Sequence, residues 1–197
     1  AYSSSATTKS VQEYDESSGS AIDTVSITDA DASGMNSNTC TLGGNDANDF
    51  SCSVSASQYS LSFSTSPDYE NPSDSNSDNV YSVTVTINDG SNDGTTISYT
   101  ITITDYNDET PSYSSSDTTP EVVEGQTAVE TVTITDPDSL DTNGCILGGA
   151  DADDFSCTIS PTQYVLAFAS APDYDSPSDA DQNNIYVVTV TISDGTQ

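Results

Sequence analysis

Acidic side chains at repeated positions are the residues of this chain that could do chemistry. A segment at residues 40–52 recurs with few changes at 145–157, and Asp-Tyr-Glu at 68–70 returns as Asp-Tyr-Asp at 173–175. The copies of each pair lie 105 positions apart. Between them, the run Asp-Tyr-Asn-Asp-Glu at 105–109 is rich in carboxylate and carbonyl oxygens. Hard oxygen ligands of this kind suit Ca²⁺, so the sequence predicts two domains joined by a calcium-binding linker.

The charge of the chain restricts its partners. The 197 residues carry a formal net charge of −31, with Lys9 as the one basic residue and no histidine. Without basic side chains the chain has nothing to neutralise phosphates, which excludes nucleic acid and anionic lipid as partners. It also has no long apolar run of the kind that spans a membrane, so we expect no membrane insertion. Because the acids recur at fixed positions, we interpret part of this charge as ligands that await cations.

The four cysteines form two pairs with identical spacing, and we expect the disulfides Cys40–Cys52 and Cys145–Cys157. Zinc sites favour closer cysteines and usually include histidine. Disulfides point to an oxidising compartment. Together with the start at Ala1 and the lack of a signal peptide, they lead us to expect a mature or excised extracellular segment at the cell surface.

The apolar residues alternate with hydroxyl-bearing residues in short segments that favour β-strands. Residues 81–87 and 97–103 show this period of two, and residues 188–192 repeat it. Turn sequences such as Asn-Asp-Gly separate the segments. The pattern predicts an all-β chain of two tandem Greek-key β-sandwiches. We place the first domain at 1–110, with a calcium linker at 105–111, and the second at 111–197.

The order of the acidic motifs resembles that of a known family. Val-x-Glu, Asp-x-Asp, Asp-Tyr-Glu and Asp-x-Asn-Asp-x-x-Pro follow one another here as they do in cadherin repeats, specifically the bacterial cadherin-like repeats of large surface proteins. This resemblance covers essentially the whole chain. It implies calcium ions at the joint between successive sandwiches. The cysteine pairs are not part of the family pattern.

The resemblance assigns metal ligands to both domains and to the linker. From the first domain come Glu13, Asp68 and Glu70, with Glu16 as an alternative to Glu13 because of an insertion in the first repeat. The linker offers the side chains of Asp105, Asn107 and Asp108 and the carbonyls of Tyr106 and Glu109. The second domain offers Asp136, Asp138, Asp194 and the carbonyl of Asn143.

Two further half-sites are expected at the outer ends of the pair. Asp29, Asp31 and Asp89 match the lower half of a joint, and Glu124, Asp173 and Asp175 match the upper half. The counterpart of residues 95–105, which include the last strand, is absent from the second repeat. Either the chain is a window from a longer array, or a neighbouring chain supplies that strand.

The leading functional hypothesis is a structural or adhesive extracellular module in which calcium stiffens the joint of a rod or fibre. Its partners would be neighbouring repeats or copies of itself, in a head-to-tail polymer. An alternative is a surface adhesin domain that binds a carbohydrate or a receptor. A glycoside hydrolase with two carboxylates is a remote alternative, and we expect no enzymatic activity because the acids are better explained as ligands. Serine runs at 3–5 and 114–116 are candidate sites for O-glycans.

Overall fold

The structure is a computed structural model that describes residues 7–13, 20–28, 38–55, 57–88, 94, 96–138 and 144–195. The chain divides into two compact units, Ala1–Tyr106 and Asn107–Gln197. Each unit has its own hydrophobic core. Among the described residues, no helix has the length and apolar character needed to span a membrane.

Unit 1 is built from two sheets. Its strands are β1 (Thr8–Gln12), β2 (Ala21–Ser26), β3 (Thr39–Gly43), β4 (Phe50–Val54), β5 (Gln58–Phe63), β6 (Val80–Asn88) and β7 (Ile97–Thr104). One sheet has the order β1-β7-β6-β3, and the other has the order β2-β5-β4. A short 3-10 turn at Ala47–Asp49 precedes β4.

Strand β7 lies inside the larger sheet and is held on both of its edges. It pairs antiparallel with β6, with Val83 opposite Tyr99, and parallel with β1, with Val11 opposite Ile103. Its alternate residues Ile97, Tyr99, Ile101 and Ile103 are buried. The period of two in the sequence places these side chains on one face, and this face forms much of the core of unit 1.

Unit 2 repeats the architecture with fewer paired strands. It contains β8 (Ser112–Tyr113), β9 (Ala128–Thr135), β10 (Gly144–Gly148), β11 (Phe155–Ser160), β12 (Gln163–Phe168) and β13 (Thr189–Ser193). One sheet has the order β11-β12-β9-β8, and β10 pairs with β13 alone. A 3-10 turn at Ala152–Asp154 precedes β11.

The predicted fold class is confirmed. The described residues form strands and short 3-10 turns, and the strands of each unit form two sheets around a core. No described residue of unit 2 takes the place that β7 has in unit 1.

The predicted disulfides are also confirmed. Cys40 on β3 bonds to Cys52 on β4, with Cα atoms 6.1 Å apart, and Cys145 on β10 bonds to Cys157 on β11, with Cα atoms 6.3 Å apart. In unit 1 these strands belong to different sheets, so the disulfide joins the two layers of the sandwich. The same is true of unit 2.

A buried aspartate fixes the loop that follows the first cysteine of each pair. Asp46 accepts hydrogen bonds from the backbone N–H groups of Ser75, at 2.8 Å, and Ser82, at 2.6 Å. Asp151 has the same role in unit 2, where the donors are Ala180 and Val187. Gly44 makes this approach possible, because at φ +97° a Cβ atom would lie 2.7 Å from the Ser82 carbonyl oxygen.

We predict that removing one disulfide destabilises its unit by about 3 kcal/mol, because the bond closes a short loop and restricts the unfolded chain. The double substitution Cys145→Ser with Cys157→Ser should lower the free energy of unfolding of unit 2, measured by chemical denaturation. The matched pair in unit 1, Cys40→Ser with Cys52→Ser, should act on the other transition. An unchanged unfolding curve in either double variant would contradict the assigned pairing.

We predict that Asp46 makes the stability of unit 1 depend on pH. Burial raises the pKa of Asp46, but hydrogen bonds from Ser82 and Ser75 outweigh it, so the pKa lies below its ordinary value. A carboxyl group whose pKa falls on folding stabilises the protein above its ordinary pKa, and this contribution is lost as the pH falls through the folded value. Asp46→Asn should therefore lower the free energy of unfolding at pH 7 by about 1–3 kcal/mol and flatten its acid dependence below pH of about 4.

The exposed Asp117 provides the control for this measurement. Asp117→Asn removes the same charge from a surface position, and it should leave both the stability at pH 7 and the acid dependence of unit 1 unchanged. If both variants behave alike, net charge explains the effect and the hydrogen bonds of Asp46 do not.

Candidate metal centres

Unit 1 brings three carboxylates together at one end of its larger sheet. Oxygen atoms of Glu13, Glu70 and Asp105 all lie within 4.8 Å of one another. Glu13 follows β1 and Asp105 follows β7, and because these two strands are parallel their carboxyl ends meet at the same edge. Glu70 comes from the loop between β5 and β6. The topology therefore explains how residues distant in sequence converge.

Backbone groups hold this first cluster in place. Glu13 is 4% exposed and accepts hydrogen bonds from the N–H groups of Tyr69, at 2.5 Å, and Tyr106, at 2.8 Å. The Gln12 side-chain amide donates to the Asp105 carbonyl at 3.1 Å. These contacts tie the loop before β6 and the segment after β7 to the end of β1.

The first cluster has no basic partner. Lys9, which is the one basic residue of the sequence, forms an ion pair with Asp23 at 3.2 Å. Carboxylates this close repel one another, and a cation between them would turn that repulsion into attraction. The donor set, hard and anionic, is the kind that Ca²⁺ prefers.

Unit 2 gathers a second set of predicted ligands where β9 ends. Asp138 accepts a hydrogen bond from the Glu109 N–H group at 2.9 Å, and its own N–H group donates to Asp136 at 3.3 Å. Carboxylate oxygens of Asp108 and Asp138 lie within 4.8 Å of each other. The Asn107 side chain donates to the carbonyl of Asp194 at 3.3 Å. The start of unit 2 is thus fixed against the ends of β9 and β13.

One oxygen atom in this second set tests whether a cation fits. The Oδ2 atom of Asp136 is buried and receives no hydrogen bond. A buried anionic oxygen without a donor costs free energy, and a metal ion would remove that cost. Asp138 and Asp194 beside it are each 5% exposed. The residues present therefore fit a hard cation.

The other predicted ligands are placed differently. Asp68 is not among the described carboxylates that come within 4.8 Å of the first cluster, and its Oδ1 atom accepts a hydrogen bond from Asn71 at 2.8 Å. Tyr106 and Glu109 meet the clusters through their N–H groups. Several predicted positions lie outside the described residues: Glu16, Asn143, Asp29, Asp31 and Asp89.

The predicted half-site of unit 2 at Glu124 has part of the geometry seen at Glu13. Glu124 accepts a hydrogen bond from the Tyr174 N–H group at 3.2 Å, as Glu13 does from Tyr69. Asp173 accepts one from the N–H group of Asp175 at 3.0 Å. Glu124, Asp173 and Asp175 are exposed, whereas Glu13 is buried. The residues that enclose Glu13 include Asp105 and Tyr106, which follow β7.

Sequence reasoning missed a second class of functional aspartate. Asp74 accepts hydrogen bonds from the N–H groups of Asn76, Asp78 and Asn79, and Asp179 binds the repeated loop in the same way. Burial raises the pKa of Asp179, but its hydrogen bonds outweigh this and hold the pKa below its ordinary value. The signal was available, because Asp74 and Asp179 are themselves 105 positions apart.

Comparison with solved structures places this fold among cadherin extracellular domains. Mouse cadherin-23 EC22-24 matches with a TM-score of 0.66 at 21% identity, over 96% of this chain and 57% of that chain. Drosophila N-cadherin EC1-4 matches with a TM-score of 0.63 at 20% identity, over 94% of this chain and 43% of that one. The protocadherin gammaB7 EC3-6 cis-dimer structure matches with a TM-score of 0.62 at 21% identity, over 98% and 47%.

These likenesses concern the fold. The prediction of cadherin-like repeats is confirmed at that level, while its bacterial qualifier stays a prediction. This chain spans less than two thirds of the length of each of the three structures. Neither the models of protein families nor the sequences of curated proteins give a match.

Proposed function

We propose that this chain is a non-catalytic, calcium-binding module of an extracellular structural or adhesive protein. The observation that carries the proposal is the carboxylate cluster of Glu13, Glu70 and Asp105, which forms in a chain with a single basic residue. The buried Oδ2 atom of Asp136 supports it independently, because it points to a missing electrophile in unit 2.

The cation has a mechanical role in this proposal. The first cluster ends at Asp105 and Tyr106, and the predicted ligands of unit 2 begin at the next residue, Asn107. A cation that draws ligands from both sides of so short a connection restrains the backbone between them. Calcium would thereby convert a flexible pair of domains into a stiff segment of a rod or fibre, by mass action above the dissociation constant of the sites.

The proposed setting is outside the cell. Two disulfides join the sheets, and disulfides persist in oxidising compartments. The solved structures with this fold are extracellular domains by their titles, and one of them is a cis-dimer. We propose neighbouring repeats or copies of the chain as partners, including a head-to-tail filament. An acidic surface also keeps nucleic acid away.

We predict that Glu13→Gln weakens calcium binding about tenfold or more, because ligand charge sets the affinity of calcium sites. Isothermal titration calorimetry on the whole chain should show binding to the unaltered protein and a weaker or missing event in the variant. Glu121→Gln removes the same charge from an exposed position and should leave the isotherm unchanged. If the unaltered chain takes up no calcium at millimolar concentration, the assignment is wrong.

We predict that calcium narrows the distribution of shapes of the two-unit chain. Without the cation, two unit charges about 4 Å apart repel by about 1 kcal/mol even in water, and this favours motion of the linker. Small-angle X-ray scattering should show one extended form with calcium and a broader ensemble with chelator, while circular dichroism keeps its β-sheet signal in both. Scattering curves that coincide while calorimetry shows bound calcium would retain the metal sites and remove the mechanical role.

A further inference from the structure

An open apolar groove runs along unit 2 beside β13. It has a volume of about 1000 Å³. Its floor is formed by core side chains, among them Phe155, Tyr164 and Leu166. One wall is the segment 184–188 that leads into β13, and the other is the segment 117–122. We call this feature the strand groove.

The repeat in unit 1 shows what fills the equivalent position. There β7 lies between β1 and β6, and the counterparts of these two strands in sequence are the two walls of the strand groove. Val80–Val83 have β7 as their one strand partner, because β3 reaches only as far as Thr84. In unit 2 the matching residues 185–188 are not in a strand. The difference follows from the missing neighbour.

The backbone of the wall is prepared to pair with a strand. Val187 directs its N–H group to Asp151 at 2.6 Å and its carbonyl to the N–H group of Asp151, on the side away from the groove. Successive residues of an extended chain point these groups to opposite sides, so those of Tyr186 and Val188 face the groove. No described residue hydrogen-bonds to them. The next groove-facing carbonyl, that of Val190, accepts a hydrogen bond from the Tyr113 hydroxyl.

The groove also holds a polar pair at a defined depth. In unit 1 the Tyr99 hydroxyl of β7 bonds to the Tyr59 hydroxyl at 2.7 Å and donates to Asp23 at 2.8 Å. The counterparts of Tyr59 and Asp23 in unit 2 are Tyr164 and Glu130, which have the same register and both line the groove. A tyrosine that enters the groove opposite Val188 would meet both.

We propose that the strand groove is a binding site for one extended peptide strand with the pattern of β7, supplied by polypeptide outside these 197 residues. The strand pairs antiparallel with residues 185–190. It buries apolar side chains at alternate positions and places a tyrosine hydroxyl at Tyr164 and Glu130. Addition of a strand to an open sheet edge gains affinity from main-chain hydrogen bonds and selectivity from the alternate side chains.

The occupant follows from the side chains that line the site. The exposed apolar residues Ile185 and Val187, at 66% and 54%, show that this wall is not covered by the described residues. Their counterparts in unit 1 run along β6, which β7 pairs with and holds in the sheet. Because the two repeats share their core residues, the strand that completes one core also has the side chains to complete the other.

The test uses the whole chain and a labelled synthetic peptide with the sequence of residues 96–108, whose acidic end keeps it soluble. Binding is measured by fluorescence anisotropy in chelator, so that the result does not depend on the proposed calcium sites. We expect saturable one-to-one binding and a rise in the melting temperature of unit 2. The peptide change Tyr99→Phe should weaken binding roughly fivefold, because one hydrogen bond is lost, and Ile101→Asp should abolish it.

Two matched changes separate the groove from non-specific adhesion. Methylation of the peptide N–H groups at Tyr99 and Ile101, which pair with β6 in unit 1, should prevent binding while every side chain stays the same. In the protein, Val188→Asp should abolish binding, and Thr189→Asp on the opposite face should not. If Val188→Asp fails to fold, the methylated peptide still decides the question.

Three results would overturn the proposal. The first is a peptide that does not bind, and the second is equal binding of the methylated and unmodified peptides. The third is self-association of the chain by sedimentation that Val188→Asp abolishes and the peptide does not dissolve, because the occupant would then be a second copy.

Discussion

Hydrogen bonds from backbone N–H groups to carboxylates organise this chain, because Lys9 is the one basic side chain in a sequence of formal charge −31. Buried acids are normally satisfied by basic partners or metal ions. Here Asp46, Asp74 and Glu13 are each held by backbone N–H groups, so that main-chain loops do the work of counter-charges. Each such carboxylate fixes a loop against a strand. The carboxylates that collect several anionic neighbours without enough donors, at the ends of β1, β7 and β9, are the ones best explained by cations.

The two units act as a natural comparison in which one strand is present or absent. Unit 1 has β7 in the middle of a sheet, and its core residues Tyr59, Tyr81 and Ile101 are fully buried. Unit 2 keeps the disulfide, the buried aspartates and the smaller sheet without that strand. These features lie on the far side of each unit from β7, which explains why they do not depend on it. Strand β7 is needed for closing the core and for the half-site at Glu13, since Asp105 and Tyr106 follow it directly.

Much of this was predictable, for identifiable reasons. The alternation at residues 81–87 and 97–103 fixed strands and buried faces, and equal spacing fixed the disulfides, because both are local properties of sequence. The roles of Asp46 and Asp74 were not predicted, because they depend on which N–H groups a folded loop presents, and an acidic residue in a loop looks alike whether it binds metal or backbone. Asp68 shows the same ambiguity from the other side: its motif suggested a ligand, yet its side chain accepts a hydrogen bond from Asn71.

The metal half-site and the strand groove are linked through one piece of chain. In unit 1 the strand that fills the sheet also carries, at its end, the carboxylate of Asp105 and the N–H group of Tyr106 that complete the surroundings of Glu13. In unit 2 Glu124 keeps its contact with Tyr174 but stands exposed at the end of the empty groove. A strand with the β7 pattern would therefore deliver an acidic residue to Glu124 as it closed the core. Core completion and cation binding at that end would then be thermodynamically coupled, each raising the affinity of the other by the same factor.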